Sequence, residues 1–190
     1  DMMKKGLIVG GIIVGVVIII IMMFASTYNS LVAKEEEVEG KLANISVQLE
    51  RRADLIPNLV STVKGYTTHE TEIINSITTS REKLLGASNA EEMAEANQEL
   101  TSAINNLLVI VENYPDLKAN TNFIQLQDEL AGTENRIAVA RKDYNDVVKD
   151  YNKEIKLFPK NILASMFGFE EKEYFEAKDS SNEVPNVSFE

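Results

Sequence analysis

The sequence predicts an all-α membrane protein, with an N-terminal transmembrane helix followed by an antiparallel up-down four-helix bundle of long, coiled-coil-like helices. Three observations lead to this class. Residues 6–25 are 20 consecutive uncharged residues. Apolar residues further along recur at three- and four-residue spacing, which is the helical period. Glycine is scarce beyond the N-terminus and the chain has only four prolines, so few positions interrupt the helical pattern.

The first element, residues 6–25, is long enough to cross a bilayer. At 1.5 Å per residue its 20 residues cover about 30 Å, the thickness of the hydrocarbon core. A cleaved signal peptide would have a shorter apolar core that ends in a small-residue cleavage site. The stretch FASTYNS (24–30), where the apolar run ends, does not provide such a site. We therefore expect a single-pass anchor that is not cleaved, preceded by a short flank at residues 1–5.

The charges around the span predict its orientation. Lys4 and Lys5 lie directly before it, whereas the first cation after it, Lys34, is followed by three glutamates. Because flanking cations stay on the cytoplasmic side, we expect the N-terminus inside and the bundle outside the cytoplasm.

Small residues four positions apart occur twice in the span. Such pairs let two helices approach closely in lipid, but glycine is also common in membrane helices generally. Self-association through this face and a simple compositional effect both remain open. The candidate self-association residues are Gly6, Gly10, Gly11 and Gly15.

Four apolar stripes predict the helices of the bundle, which we place at residues 27–158. The longest runs from Phe123 to Phe158 with a strict seven-residue repeat, which implies a left-handed supercoil. Short connections make neighbouring helices antiparallel. The predicted helices cover about 28–53, 56–85, 90–113 and 121–157, separated by breaks at 51–58, 86–90 and 112–120.

The first and third breaks are expected to meet at the end of the bundle that lies furthest from the bilayer. A 26-residue helix places that tip about 39 Å from the membrane. Both charge signs occur there, which fits either two helix ends joined by weak ion pairs or a surface that binds a partner. The candidate interaction tip consists of Arg51, Arg52, Asn58, Glu112, Tyr114, Asp116 and Lys118.

Residues 159–176 are expected to form an apolar, membrane-proximal segment. Its stretch LFPKNILASMFGF (157–169) could lie in the membrane interface or cover the open end of the bundle. The pattern does not separate these two interpretations. Residues 177–190 are expected to form a mobile tail.

Composition excludes several kinds of chemistry. A net charge of -11 argues against nucleic acid as a partner, because phosphate binding requires a basic surface. The absence of cysteine excludes disulfides and thiolate sites. The only histidine, His69, has Ile73 where a zinc motif needs a second histidine. We therefore predict no catalytic residue, no metal and no cofactor.

A buried polar layer that fixes the register of the bundle is the better interpretation of the polar residues near His69. Glu70 falls on an apolar stripe, and polar residues of the last bundle helix are expected at about the same depth. The candidate layer consists of His69, Glu70, Glu134, Asn135 and Arg136.

Longer motifs in order along the chain resemble those of one family. They are YNSLV at 28–32, QLERRADLIPNLV at 48–60, GYTTHE at 65–70, ENYPDLKAN at 112–120, TENRI at 133–137, YN at 144–145 and 151–152, and FP at 158–159. Over residues 28–160 the chain resembles the LemA family.

This resemblance implies a bacterial single-span membrane protein with an antiparallel helical bundle and without an established activity. The family's genes often lie near membrane metalloproteases, which implies a role in envelope or membrane quality control. The family's N-terminus has been predicted to lie outside the cytoplasm. We retain the opposite orientation because it rests on Lys4 and Lys5 of this sequence.

The sequence thus favours a non-enzymatic, membrane-anchored scaffold in the bacterial inner membrane. We expect it to form homo-oligomers and to organise the bilayer or other envelope proteins. The alternative is an adaptor or sensor for a membrane protein partner, such as a membrane protease. An enzyme is the third hypothesis, against which the inventory of residues argues.

Overall fold

The computed structural model describes residues 2–67 and 69–177, with side chains from Leu7 onward. The predicted all-α class with a long apolar N-terminal helix is confirmed, and no strand occurs in the described part of the chain. The expected tail lies outside it from residue 178 on. The helices are α1 (Met2–Lys64), α2 (Thr71–Gly86), α3 (Ala90–Val111), α4 (Pro115–Lys118), α5 (Thr121–Glu154) and α6 (Lys160–Phe167).

The chain divides into two compact units, which we describe separately. The anchor unit lies within residues 1–40 and 146–172, and the helical unit lies within residues 41–145 and 173–190.

In the anchor unit, the first part of α1 is the apolar stretch that the sequence predicts to span a membrane. It contains an 18-residue window with a mean hydropathy of 3.2, long and apolar enough to cross a membrane. Nearly every side chain between Leu7 and Phe24 is exposed, so the surrounding environment of this stretch must itself be apolar. Beyond the span, α1 turns one face inward, where Leu31 and Val38 are buried.

The predicted break at residues 51–58 is wrong, because α1 continues to Lys64 with Pro57 inside it. The chain turns instead at residues 65–70, directly before α2. There the amides of Gly65 and Tyr66 donate to the carbonyls of Thr62 and Val63, which ends the helix in a tight turn.

A hydrogen bond from another helix explains how α1 tolerates Pro57. A proline lacks the amide that would bond to the carbonyl four residues earlier, which here belongs to Ala53. The Nε of Arg81 on α2 donates to that carbonyl at 2.9 Å. The acceptor left without its helical donor is therefore satisfied by a tertiary contact, a possibility that local sequence rules do not consider.

The core of the helical unit is built from one face of each of its longer helices. Asparagine side chains cap the start of two of these helices. Asn89 accepts from the amide of Glu92 at 2.8 Å and starts α3, while Asn120 accepts from the amide of Phe123 at 3.0 Å and starts α5. The fully or almost fully buried residues of the helical unit include Ile45, Ile56, Leu59, Val63, Ile77, Leu100, Leu107, Leu117, Phe123 and Ile137.

Replacing Arg81 with Met is expected to lower the free energy of unfolding by about 1–3 kcal/mol, because the carbonyl of Ala53 then lacks a donor. The loss should shrink in a Pro57→Ala background, where the helix supplies its own amide. Denaturant unfolding in detergent micelles, followed by circular dichroism, measures this double-mutant cycle. Lys83→Met, on the exposed side of the same helix, is the control and should lose less than about 1 kcal/mol. Equal losses with and without Pro57 would contradict the assignment.

Candidate functional site: the groove between α3 and α5

A buried arginine lies where three helices of the helical unit meet. Arg52 of α1 is 3% exposed, although it is charged. Its Nη1 donates to the Oδ1 of Asn97 on α3 at 2.5 Å and pairs with the carboxylate of Glu134 on α5. The same face of α1 carries Leu49 and Ile56, both buried, so Arg52 occupies a position that the helical period assigns to an apolar residue.

The charge of Arg52 makes this contact obligatory. Burial lowers the pKa of the Arg52 guanidinium, and the carboxylate of Glu134 acts in the opposite direction. An arginine stays protonated in proteins, so the charge needs a partner when it is removed from water. Within the described residues, the Nε of Arg52 and the Oε1 of Gln48, one turn earlier, have no hydrogen-bond partner.

Asn97 and Glu134 also line an open groove between α3 and α5, with a volume of about 750 Å³. Polar side chains form most of its walls, including Gln98 and Thr101. On the α5 side lie Arg141 and Lys142, which make no ion pair with any described residue, together with the half-buried Asn145.

Two cations without ion pairs to described residues thus lie beside this groove. Guanidinium and ammonium groups hydrogen-bond most strongly to carboxylates and phosphates. The groove therefore presents these two cations and the amide of Gln98 beside the carboxylates of Glu134 and Glu176.

The chain itself forms one wall of this groove. After α6 it passes along α5, where the hydroxyl of Tyr144 donates to the carbonyl of Glu173 at 2.8 Å. The side chain of Asn145 accepts from the amide of Phe175 at 2.8 Å and donates to its carbonyl at 3.5 Å. Burial raises the pKa of Tyr144 to about 12, with a contribution from Glu173. These bonds place Phe175 and the two residues after it against the groove.

Asn152 makes an equivalent contact in the anchor unit, whereas the hydroxyl of the neighbouring Tyr151 has no hydrogen-bond partner among the described residues. The amide of Lys172 donates to the Oδ1 of Asn152 at 2.9 Å, and the Nδ2 of Asn152 donates back to the carbonyl of Lys172 at 2.9 Å. The ammonium of Lys172 pairs with Glu35 at 2.6 Å. Burial, with smaller contributions from Glu35 and Glu170, raises the pKa of Tyr151 to about 12.

The local sequence around these two pairs predicts no role for them. Each asparagine bonds the amide and the carbonyl of a single residue, as a neighbouring strand would. The repeated YN, seven residues apart on one helix face, was the signal that the chain returns along α5.

The predicted interaction tip is not assembled as expected. Because α1 continues to Lys64, Arg51, Arg52 and Asn58 lie within that helix, roughly two to four turns before its end. Arg51 and Asn58 are exposed on α1, whereas Arg52 is buried. Of the remaining tip residues, Glu112 and Lys118 pair at 2.6 Å, and Asp116 is exposed on α4.

A different set of residues joins the turn between α1 and α2 to the residues that flank α4. Tyr114 donates to Glu70 at 2.8 Å, and Asn120 donates to the hydroxyl of Tyr66 at 2.8 Å. The carboxylate of Glu70 raises the pKa of Tyr114. We call Tyr66, Glu70, Tyr114 and Asn120 the turn cluster. Within this cluster, Tyr114 lies next to Pro115, and these two residues form the corner between α3 and α4.

The predicted buried polar layer is also wrong in its membership. His69, Asn135 and Arg136 are exposed, and Glu70 belongs to the turn cluster. Only Glu134 takes part in a buried polar contact, and its partner is Arg52. The error follows from the misplaced break, which shifted the expected depth of every residue after Asn58.

Within the described residues, no three histidine, aspartate or glutamate side chains gather to hold a metal.

The glycines of the span are free of contacts in the described chain. A Cβ added at Gly10, Gly11 or Gly15 would meet no atom within 4 Å. The side chain position of Gly6 lies outside the described part. Each of the three glycine faces is therefore open to lipid or to a second helix.

Comparison with known proteins matches residues 41–189 to the LemA family. Magnetosome protein MamQ 2 of Paramagnetospirillum magneticum is 26% identical over 181 residues, which cover 82% of this chain and 66% of that protein. Magnetosome protein MamQ of Magnetospirillum gryphiswaldense is 25% identical with the same coverage. Protein LemA of Metamycoplasma hominis is 26% identical over 161 residues, 83% of this chain and 72% of that protein.

The chain thus spans about two thirds of the length of these magnetosome relatives. Together with the apolar N-terminal helix, these similarities indicate a membrane-associated protein.

Glu134→Gln is expected to destabilise the helical unit, because it leaves the charge of Arg52 buried without a counter-charge. Breaking a buried pair from one side costs about 3–5 kcal/mol, and the partial exposure of Glu134 places the loss near the lower end. The double variant Arg52→Met/Glu134→Gln should lose less than Glu134→Gln alone. Chemical denaturation of the full chain in detergent measures all three.

The matched control is Glu99→Gln, which makes the same chemical change at the exposed pair with Lys83. It should cost less than about 1 kcal/mol. Similar small losses at positions 99 and 134 would show that Arg52 does not depend on its partner.

Proposed function

Because this chain belongs to the LemA family, we propose that it is a non-enzymatic, membrane-anchored helical scaffold of the bacterial envelope. It associates with further copies of itself through its span and organises membrane or envelope proteins around it. The anchor lies in the inner membrane, with its N-terminus inside and the bundle outside the cytoplasm.

One observation carries the proposal: the span is exposed on all sides, with three glycines open to a close approach. A lone span surrounded by lipid gains packing when a second helix enters its small-residue face. The similarity to proteins named for the magnetosome supports an organising role at a membrane.

The orientation is supported by residues of this sequence alone. Lys4 and Lys5 precede the span, and the region after Lys34 is rich in glutamate. Cations next to a span favour the cytoplasmic side.

Gly10→Leu and Gly15→Leu are each expected to weaken self-association in the bilayer roughly tenfold, which corresponds to about 1.4 kcal/mol. The larger side chain keeps two helices from close contact. Energy transfer between copies labelled at Asn58→Cys, measured in vesicles over a range of lipid dilutions, gives the association constant. Val16→Leu adds bulk outside the glycine pairs and is the control. An association that all three variants leave unchanged would remove the span from the proposal.

The proposed orientation predicts that Asn58→Cys is labelled in intact cells by a membrane-impermeant maleimide. Asn58 is exposed on α1, and the chain has no other cysteine, so the signal comes from one site. Met3→Cys, before the span, is the matched control and should be labelled only after permeabilisation. The opposite pattern at both positions would reverse the orientation.

The groove between α3 and α5 favours a second candidate function, an adaptor for a membrane protein partner. Arg141 and Lys142 line this groove without ion pairs to described residues, which suits an acidic segment of a client. A membrane protease is one such partner.

The adaptor predicts that a photo-reactive amino acid at Gln98 captures one foreign membrane protein in cells. Arg141→Gln/Lys142→Gln should reduce that capture severalfold, because charge attraction mainly raises the association rate. Lys149→Gln/Lys153→Gln removes the same charge from exposed positions of α5 and should leave it unchanged. Capture limited to copies of the chain itself would favour the scaffold alone.

A further inference from the structure

The short helix α6 exposes an unusual apolar face. Phe158, just before the helix, is 80% exposed, and Ile162 and Met166 are 50% and 66% exposed. Within α6 the four-residue spacing places Ile162 and Met166 along one side of the helix. Large apolar side chains that are exposed side by side on a helix seldom remain in water without a partner.

The opposite face of α6 packs within the anchor unit. Leu163 and Ala164 are buried. The ring of Phe167 lies edge-on to the ring of Tyr28 on α1, with 4.9 Å between centroids, and Phe169 contacts the same ring at 5.8 Å. Edge-on aromatic pairs at these distances are favourable, so α6 has a defined position against α1 and its outer face is fixed in one direction.

That position coincides with the end of the membrane span. Phe167 closes a crevice of about 520 Å³ whose walls are almost wholly apolar, and the other side of this crevice belongs to the last turns of the span. The apolar surface of the span therefore continues onto α6 without a polar interruption. The residues that line the crevice are Ile20, Ile21, Phe24, Ala25, Tyr28 and Phe167.

The segment is also nearly free of charge. Between residues 157 and 169 the only ionisable side chain is Lys160, which pairs with Glu154. The remaining polar side chains of α6 are Asn161 and Ser165, each about 100° around the helix from the apolar residue that follows it. In an acidic chain, this is a stretch that anionic headgroups would not repel.

We propose that α6 lies in the membrane interface and forms a second contact with the bilayer, with Phe158, Ile162 and Met166 inserted at the boundary of headgroups and acyl chains. The partner is the lipid surface because Phe167 holds α6 against the end of a span that itself requires lipid. The proposal does not depend on self-association, since one copy of the chain suffices for it.

A depth measurement with spin labels tests the proposal on the full chain, whose lack of cysteine allows one label at a time. Ile162→Cys and Met166→Cys are labelled with a nitroxide and reconstituted, at low protein density, in phosphatidylethanolamine and phosphatidylglycerol vesicles. Collisions with oxygen, which concentrates in the hydrocarbon, are compared with collisions with a water-soluble nickel chelate. Asn161→Cys on the polar side of α6 and Val17→Cys in the span are the matched references.

Labels at positions 162 and 166 should collide more often with oxygen than with nickel, as at position 17, and the label at 161 should do the reverse. Labels at 162 and 166 that behave like the label at 161 would overturn the proposal. Spin–spin broadening at 162 and 166 that disappears when unlabelled protein is added would show that a second copy covers the face, and would overturn it too. Circular dichroism verifies that each variant keeps its helix content, and the two positions provide independent readings.

Discussion

The buried guanidinium of Arg52 is the constraint around which the helical unit is arranged. A charge that is 3% exposed must find partners at defined distances, and its partners come from two other helices. Apolar contacts tolerate small shifts between helices, whereas an ion pair and a hydrogen bond to a side-chain amide tolerate them less well. The guanidinium thus ties α1 to α3 and to α5 at one point along each helix. Because Asn97 and Glu134 also line the groove between those helices, the same contact sets the shape of the surface proposed to bind a client.

Helical periodicity and the apolar run at the N-terminus were sufficient to predict the all-α class and the long apolar helix. The end of α1 could not be predicted in this way. Local rules treat Pro57 as an interruption because they consider only the donors that a helix supplies itself. Arg81, which lies 28 residues after Ala53 in the sequence, provides the missing donor. No property of the sequence around Pro57 reveals this contact. That one displaced turn also moved Arg51, Arg52 and Asn58 away from the expected tip.

The candidate site was predictable in its parts and not in its arrangement. The charged residues were recognised as polar positions, but an arginine on an apolar stripe does not indicate which carboxylate it will meet. Burial of Arg52 depends on how three helices pack, which is information of tertiary origin. The segment after α6, which runs back along α5, could not be predicted for a related reason. Its backbone is irregular and has no periodicity, so the only trace in the sequence is the repeated pair of tyrosine and asparagine on α5.

The bond between Arg81 and the carbonyl of Ala53 also has a consequence for biosynthesis. A ribosome releases the chain from its N-terminus, so Ala53 emerges 28 residues before the side chain that completes its hydrogen bonding. A nascent chain that ends before α2 therefore leaves the carbonyl of Ala53 without its side-chain donor, and the turn of α1 that contains Pro57 gains its full set of hydrogen bonds only when α2 packs against it.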